Sequence, residues 1–263
     1  MALYENSVLA EQIDSILSTK LDVNRFMTID TSLTQEAGQK KIVHKYSGTG
    51  AVEDLAKGAK NSSFVDASFT EVEYEVARTQ GTAKYYDDDE MTDPTYVEAK
   101  LKYLAEGMVN NWTSKAIAEF GKTDKTYTMK DYTLAEFAGA ISQYTKEYES
   151  TEGLFFVINI ELVPTIQSLL GEHLKYTEDY IRTGAVGAIL GVPIYSSKAV
   201  PKDTMYLATN EAVTAFIKKN TFVEQDRDVE TKENIIVATR YAVIALTNAK
   251  KCIKCAPASV IGA

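Results

Sequence analysis

Cysteine and histidine are nearly missing from this sequence, with two of each in 263 residues. Cys252 and Cys255 cannot make a disulfide framework. As a lone Cys-x-x-Cys they supply only two of the four ligands that a structural zinc site takes. They fall in a strand-like stretch, where residues three apart face opposite sides, so they read as structural. His44 lies in another strand-like stretch and His173 in a polar turn, and neither forms a catalytic dyad. Runs of basic residues are also missing: the formal net charge is −9. Lys40-Lys41, Lys218-Lys219 and Lys250-Lys251 are short pairs that read as solvated strand or helix ends. This excludes a sequence-specific reader of nucleic acid, which needs clustered positive charge. It does not exclude a protein that encloses nucleic acid without gripping it. No apolar run reaches the roughly 20 residues of a membrane span. The start, Met1 to Asn6, lacks the basic and apolar regions of a signal peptide, so folding in a cytoplasm is expected.

Catalytic motifs are equally scarce. There is no Gly-x-Ser-x-Gly elbow. Gly121-Lys122-Thr123 has the ending of a phosphate loop but lacks its upstream glycine, and it follows a helix where it should precede one. Gly184 to Gly191 has the wrong spacing for a dinucleotide loop and is followed by a strand containing Pro193, so its glycines read as turn formers. Asp87-Asp88-Asp89-Glu90 reads as a solvated turn favouring the positive end of the next helix, because consecutive acids do not converge on a metal. No catalytic, cofactor-binding or metal-ligating residue is assigned.

What the sequence does contain is an order of elements. Residues 7–19 read as an amphipathic helix with Val8, Leu9, Ile13, Ile16 and Leu17 on one stripe. Ile42 to Tyr46 reads as a strand, Ser47 to Gly50 as a breaker, and 52–63 as a polar connection. A long alternating strand then runs through Phe69, Val72, Tyr74 and Val76. A hairpin with so few apolar residues at its tip cannot bury itself and must either flap or lie on something else. Asp93-Pro94 opens the longest helix, with Val97, Leu101, Leu104, Met108 and Trp112 on its buried face and Gly121 at its end. At about 1.5 Å per residue it spans roughly 40 Å, the length of a spine.

A second section follows. Thr133 to Glu136 reads as a capping box opening a helix with Phe137, Ile141, Tyr144 and Tyr148 inward. Leu154 to Ile158 is a buried strand, and a helix with Pro164 in its first turn stops at Gly171. Strands are expected after Gly184 and at Met205 to Leu207, with a helix from Asn210 to Lys218. The end is β-rich: Ile235 to Ala238, Tyr241 to Leu246, and Cys252-Ile253. This last section is too small to stand alone and is expected to pack on the spine helix. The 16 tyrosines suit interfaces that are apolar at one end and wet at the other.

An arm, a two-stranded extension, a spine helix, a compact α/β section and a return to strands together resemble the major capsid proteins of tailed bacteriophages, the Hong Kong 97-type fold. The wording is similar too. "GAVGAILGVPIYSSKAVP" (184–201) resembles that family's glycine-rich segment leading into a Gly-x-Pro-Val strand. "MYLATNEAV" (205–213) resembles the next elements, and "VEQDRDVETKENIIVATRYAVIAL" (223–246) the late paired strands. "YYDDDEMTDPTYVEAKLKYLAEGM" (85–108) is similar to the junction into the spine.

The resemblance implies an α+β fold with an N-terminal arm (1–41), an extended loop (42–69), a peripheral domain (70–130 and 221–263) and an axial α/β domain (131–220). It implies no enzyme activity and no cofactor. The chain would associate with itself as pentamers and hexamers of an icosahedral shell enclosing double-stranded DNA without sequence-specific binding, away from membranes. A separate scaffolding protein, a portal and decoration proteins would be its partners, and the virion capsid its location. The subunit contacts implied are Gly48, Gly50, Glu53, Asp54, Lys57, Arg78, Arg227 and Asp228. Some relatives carry lysine–asparagine cross-links; Lys57 or Lys60 with Asn248 would be the counterparts, but no matching motif accompanies them. An encapsulin shares the fold, and there the helix at Ser7 to Thr19 would bind a cargo enzyme. A soluble enzyme or ligand-binding protein with the hairpin as a lid, and a phage tail protein, are the other classes.

Overall fold

The computed structural model describes residues 4–5, 26–35, 38, 40–49, 54–55, 57–58, 60, 66–145, 152–173 and 186–257. The helix expected at 7–19, Tyr148 and the start of the glycine-rich segment lie outside them. In chain order the elements are β1 (Tyr4–Glu5), β2 (Thr28–Asp30), β3 (Lys40–Thr49), β4 (Asp66–Glu75) and β5 (Ala77–Tyr86). Then come helices α1 (Asp87–Thr92) and α2 (Pro94–Phe120), strand β6 (Thr126–Met129), helix α3 (Leu134–Thr145), strand β7 (Leu154–Asn159) and helix α4 (Val163–His173). The chain continues with β8 (Gly187–Ile189), β9 (Val192–Ser197), β10 (Met205–Thr209), β11 (Val213–Arg227), β12 (Glu233–Leu246) and β13 (Cys252–Pro257).

Two sheets and a separate hairpin result. The first sheet has the order β1-β11-β12-β5, with β2 also pairing β11 in parallel. The second runs β6-β13-β10-β7-β9-β8 and mixes parallel and antiparallel pairs. Among the described residues strands β3 and β4 pair only with each other, in register from Lys40↔Glu75 to Thr49↔Asp66. Asp93 caps α2 by accepting from the Thr95 amide, and Pro94 fills the first helical position, where its missing N–H costs nothing.

The core follows from the period-2 alternation of the second sheet, which is covered on both faces. Phe155 and Val157 of β7 join one cluster with Met108, Trp112 and Phe120 of α2 and Val213, Ala215 and Ile217 of β11. Phe156 and Ile158 point the other way, into a cluster with Phe137 and Tyr144 of α3 and with Ile166 of α4. Cys252 belongs to the first cluster and Cys255 to the second, as residues three apart on a strand must. A smaller third cluster, of Leu33, Val43, Tyr74, Phe216, Val243 and Ala245, fastens the base of the β3–β4 hairpin to the back of the first sheet.

Several local expectations are corrected. Residues 210–218 hold a turn and the start of β11 instead of a helix. Val213, Ala215 and Ile217 face one side and Phe216 the other, a strand period that β-branched and aromatic residues favour. Ser47 to Thr49 continue β3 instead of breaking it. The alternating strand after Phe69 is two strands that part at Val76 and join different partners. Ile235 to Leu246 is one strand, since Arg240 finds an aromatic partner rather than solvent: its guanidinium stacks 3.9 Å over Trp112. Helix α4 runs through Gly171 to His173, so His173 ends a helix rather than sitting in a turn. Glu136 does not reach back to cap α3; its carboxylate accepts from Tyr127 Oη at 3.0 Å.

The late strands divide between the sheets. Strands β11 and β12 pack on the spine helix, whereas β13 joins the second sheet between β6 and β10. Of the glycines read as turn formers, Gly191 sits in the β8–β9 turn at φ 80°, beside Leu190 at φ 52°, whereas Gly187 lies in β8 and Gly184 is outside the described residues.

Candidate assembly interface

The hairpin shows why it needs a partner. Directly opposed pairs share a face, so Ile42 and His44 lie beside Glu73 and Glu71, followed by Phe69. On that face Ile42 is 50% and Phe69 61% exposed. Lys40 pairs with Glu73 at 3.0 Å, His44 approaches Glu71 at 3.7 Å, and His44 meets the Phe69 ring edge-on at 5.5 Å. The opposite face is covered only at its base, by Val43, Tyr74 and the third cluster. On the outward face two exposed apolar side chains, Ile42 and Phe69, thus stand among Lys40, His44 and the exposed Glu71, Glu73 and Glu75.

Strand β5 and helix α2 form a groove of about 590 Å³. Strand β5 is the last of its sheet, and its far edge carries no strand among the described residues. Gly81 lets helix and strand approach: a Cβ there would lie 2.3 Å from Leu104 Cδ1. The groove runs along residues 79–84 and along Lys100, Tyr103, Leu104, Gly107, Met108 and Asn111. Tyr103 is 72% exposed. Lys100 Nζ sits 4.3 Å from the Tyr96 ring centre and donates to the Lys84 carbonyl, and Lys84 pairs with Glu233 at 3.0 Å. At the other end Lys115 Nζ donates to Thr79 Oγ1 at 2.8 Å, and burial pulls its pKa below the usual lysine value. None of the twelve described lining residues is acidic, although the chain carries 37 acids. The groove is therefore an apolar trough with cations at both ends. Sequence reasoning missed it, because β5 and α2 read as separate elements; Gly81 and Gly107 were its only trace.

A clamp closes the sheet beside the groove. Asp87, the first residue of α1, accepts from Asn234 Nδ2 at 2.6 Å and pairs with Arg227. The Asn234 hydrogen bond, then Arg227, hold its carboxyl below the usual range. The acidic run expected as a solvated turn is thus a short helix whose first residue ties β11 and β12 to the spine.

The sequence-derived contact residues scatter. Gly48 lies in β3 opposite Ala67, while Asp54 and Lys57 are exposed near the tip. Gly50 and Glu53 lie outside the described residues. Arg78 is exposed on β5 next to Thr79 of the groove. Arg227 engages Asp87, and Asp228 Oδ1 accepts from the amides of Glu230 (2.9 Å) and Thr231 (3.5 Å), so both serve the chain's own turn. Lys57 and Lys60 are exposed, whereas Asn248 is half-buried with its amide donated to the Ala212 carbonyl. Among the described residues no three His, Cys, Asp or Glu gather as a metal site. Burial raises the pKa of both thiols, Cys255 to about 12.

No protein-family model matches the sequence, and no curated protein matches it either. Solved structures do match in shape. A virus-like particle from Pyrococcus furiosus aligns over 95% of this chain and 98% of its own, with TM-score 0.63 and 12% identity. A structure from Mycobacterium phage Che8 aligns over 83% of this chain and 85% of its own, with TM-score 0.60 and 14% identity. The holo-SrpI encapsulin complex from Synechococcus elongatus aligns over 88% and 85%, with TM-score 0.63 and 12% identity. With a two-stranded hairpin, a spine helix and two sheets in this order, the chain has the α+β Hong Kong 97-type fold that phage capsids and encapsulins share.

Proposed function

We propose that this chain is the repeating subunit of a closed protein shell, the major capsid protein of a tailed phage enclosing double-stranded DNA. The observation that carries the proposal is the β3–β4 hairpin, ten residues a strand, whose acid-edged face exposes Ile42 and Phe69. A surface of that kind on a lone monomer is an aggregation liability, whereas on a shell subunit it is an interface. The groove on β5 and α2 offers a complement to the acidic hairpin face: a strand edge with no neighbour among the described residues, apolar side chains and lysines. Modest contacts repeated around closed symmetry then add up to a stable container.

In this reading the arm is 1–41, the loop 42–69, the peripheral domain 70–130 with 221–263, and the axial domain 131–220. Strands β6 and β13, paired within the second sheet, form the seam between the two domains. Pentamers and hexamers build the shell, a separate scaffolding protein guides closure, and a portal and decoration proteins complete the virion.

A second reading, an encapsulin-type nanocompartment, is favoured by the equal fit to the encapsulin complex. Negative-stain electron microscopy of the purified chain after sizing chromatography tests both. Closed shells or rings of five and six subunits are expected. Nuclease-protected DNA inside supports the phage reading and a co-purifying enzyme the nanocompartment. A monomer that stays inert with scaffold and crowding agent, and binds a small ligand, overturns the shell reading.

A further inference from the structure

The β3–β4 hairpin joins the body of the chain through two breaks. Gly38, just before β3, has φ 119°, in the left-handed region, and open space where a side chain would stand. Val76 separates β4, which pairs with β3, from β5, which pairs with β12. A chain held in ladders on either side changes direction at such points. Beyond them the hairpin is tied back by the small third cluster and by a polar contact. Tyr74 of β4 lies on the hairpin side of Val76, and its Oη donates to Glu119 Oε2 at 3.4 Å, in the last turn of α2. Glu119 Oε1 accepts from Lys122 Nζ at 2.5 Å, and that ammonium also stands 5.4 Å from the centre of the Tyr74 ring.

This contact is costly to keep. Glu119 is buried, and it sits at the negative end of the helix, where a carboxylate is disfavoured. Burial and then the Glu119 charge raise the Tyr74 pKa, so the phenol stays a donor. At 3.4 Å the bond is long for a hydroxyl on a carboxylate, and so weak. Lys122 is exposed and can follow Glu119 toward water when Tyr74 withdraws. Closed, the carboxylate has the phenol and the ammonium; open, it keeps the ammonium and gains water. The two arrangements differ by little, which is what a switching element requires.

We propose that Tyr74, Glu119 and Lys122 form a latch that fixes the angle of the hairpin to the spine helix, and that opening it lets the hairpin turn about Gly38 and Val76. The use of the latch rests on the shell reading, in which a neighbouring copy draws the hairpin away. The latch itself does not rest on it.

The test measures the distance between spin labels on the full-length unassembled chain, at T70C on the hairpin and A99C on the spine helix, both exposed positions. Cys252 and Cys255 are buried, so labelling is confined to the introduced thiols. At about 3.4 Å per residue Thr70 lies roughly 20 Å from Val76, so a turn of about 20° moves its label by about 7 Å. The labelled chain is expected to give a single narrow distance. Y74F removes the donor and is expected to add a second distance shifted by several ångströms. E119A removes the acceptor, is expected to do the same, and decides the matter if circular dichroism shows that Y74F fails to fold. Y85F removes a hydroxyl that accepts from Gln225 within the first sheet and is expected to keep the single distance. A broad distribution in the labelled chain itself, an unchanged one in folded Y74F and E119A, or equal broadening in Y85F overturns the inference. Shells that form while the labels do not respond sink the latch alone. Labels that respond in a chain that forms no shell keep the latch while the shell reading falls.

Discussion

Trp112 is 3% exposed, with the Arg240 guanidinium 3.9 Å above its ring, at the centre of the contact between α2 and the first sheet. Trp112→Ala removes both the buried ring and the stacking partner of a buried charge. It is expected to cost about 3 to 5 kcal/mol, seen as a lower denaturant midpoint at unchanged slope. Asp87 gives a pH dependence of defined sign. Its carboxyl is held lower in the folded chain than in the unfolded one, so its contribution is present above the unfolded pKa. It is lost as pH falls through the folded pKa. Wild type and Asp87→Ala are therefore expected to differ in melting temperature at pH 6 and to converge as pH falls through the folded pKa. A constant gap across that range would contradict the clamp. At this scale the sequence announced apolar residues and the opposite orientation of Cys252 and Cys255. It could not announce Arg240 or Glu119 as buried, because a charge is buried only by a partner the fold brings from elsewhere, here Trp112 and Tyr74.

Helix α2 was legible because its signals are local: Asp93 and Pro94 at one end, Gly121 at the other, and apolar residues three and four apart between them. Strand β11 was not. Val213 to Lys218 carries enough apolar residues for either period, and pairing with β12 and β2 decides for the strand. The same competition ran β3 through Ser47 and Gly48, where a ladder to β4 outweighs a weak strand former. The approach of α2 to β5 depends on a missing side chain. Gly81→Val places branched carbons where Leu104 already lies, and a loss of about 1 to 3 kcal/mol is expected from overpacking. Leu104→Ala in the same chain makes room, so the double variant is expected to lose less than the sum of the singles. Additive losses in chemical denaturation would mean that Gly81 and Leu104 do not limit each other.

For the whole molecule, the order of elements was readable because it survives when side chains change, and the fold matches solved shells at only 12 to 14% identity. The two surfaces proposed for assembly were half readable. The hairpin's poverty in apolar residues declared that it must flap or lie on something. The groove did not declare itself, since residues 79–84 and 100–111 meet only in space. Charge supplies the test of whether the two belong together in neighbouring copies. Glu71 edges the hairpin face and Lys100 the groove, and within one chain neither needs the other. Glu71→Lys alone and Lys100→Glu alone each set like charges across the contact, so slower and less complete shell formation is expected by light scattering. The double exchange restores opposite signs and is expected to recover most of the assembly rate while leaving the thermal stability of the unassembled chain unchanged. Both single variants are also expected to close the gap with the wild type as salt rises, because the penalty is electrostatic and exposed charges are screened over about 10 Å at 0.1 M. Recovery in the double variant would tie the hairpin of one copy to the groove of the next. Three variants that all assemble like the wild type would move the contact elsewhere, even if the shells themselves form.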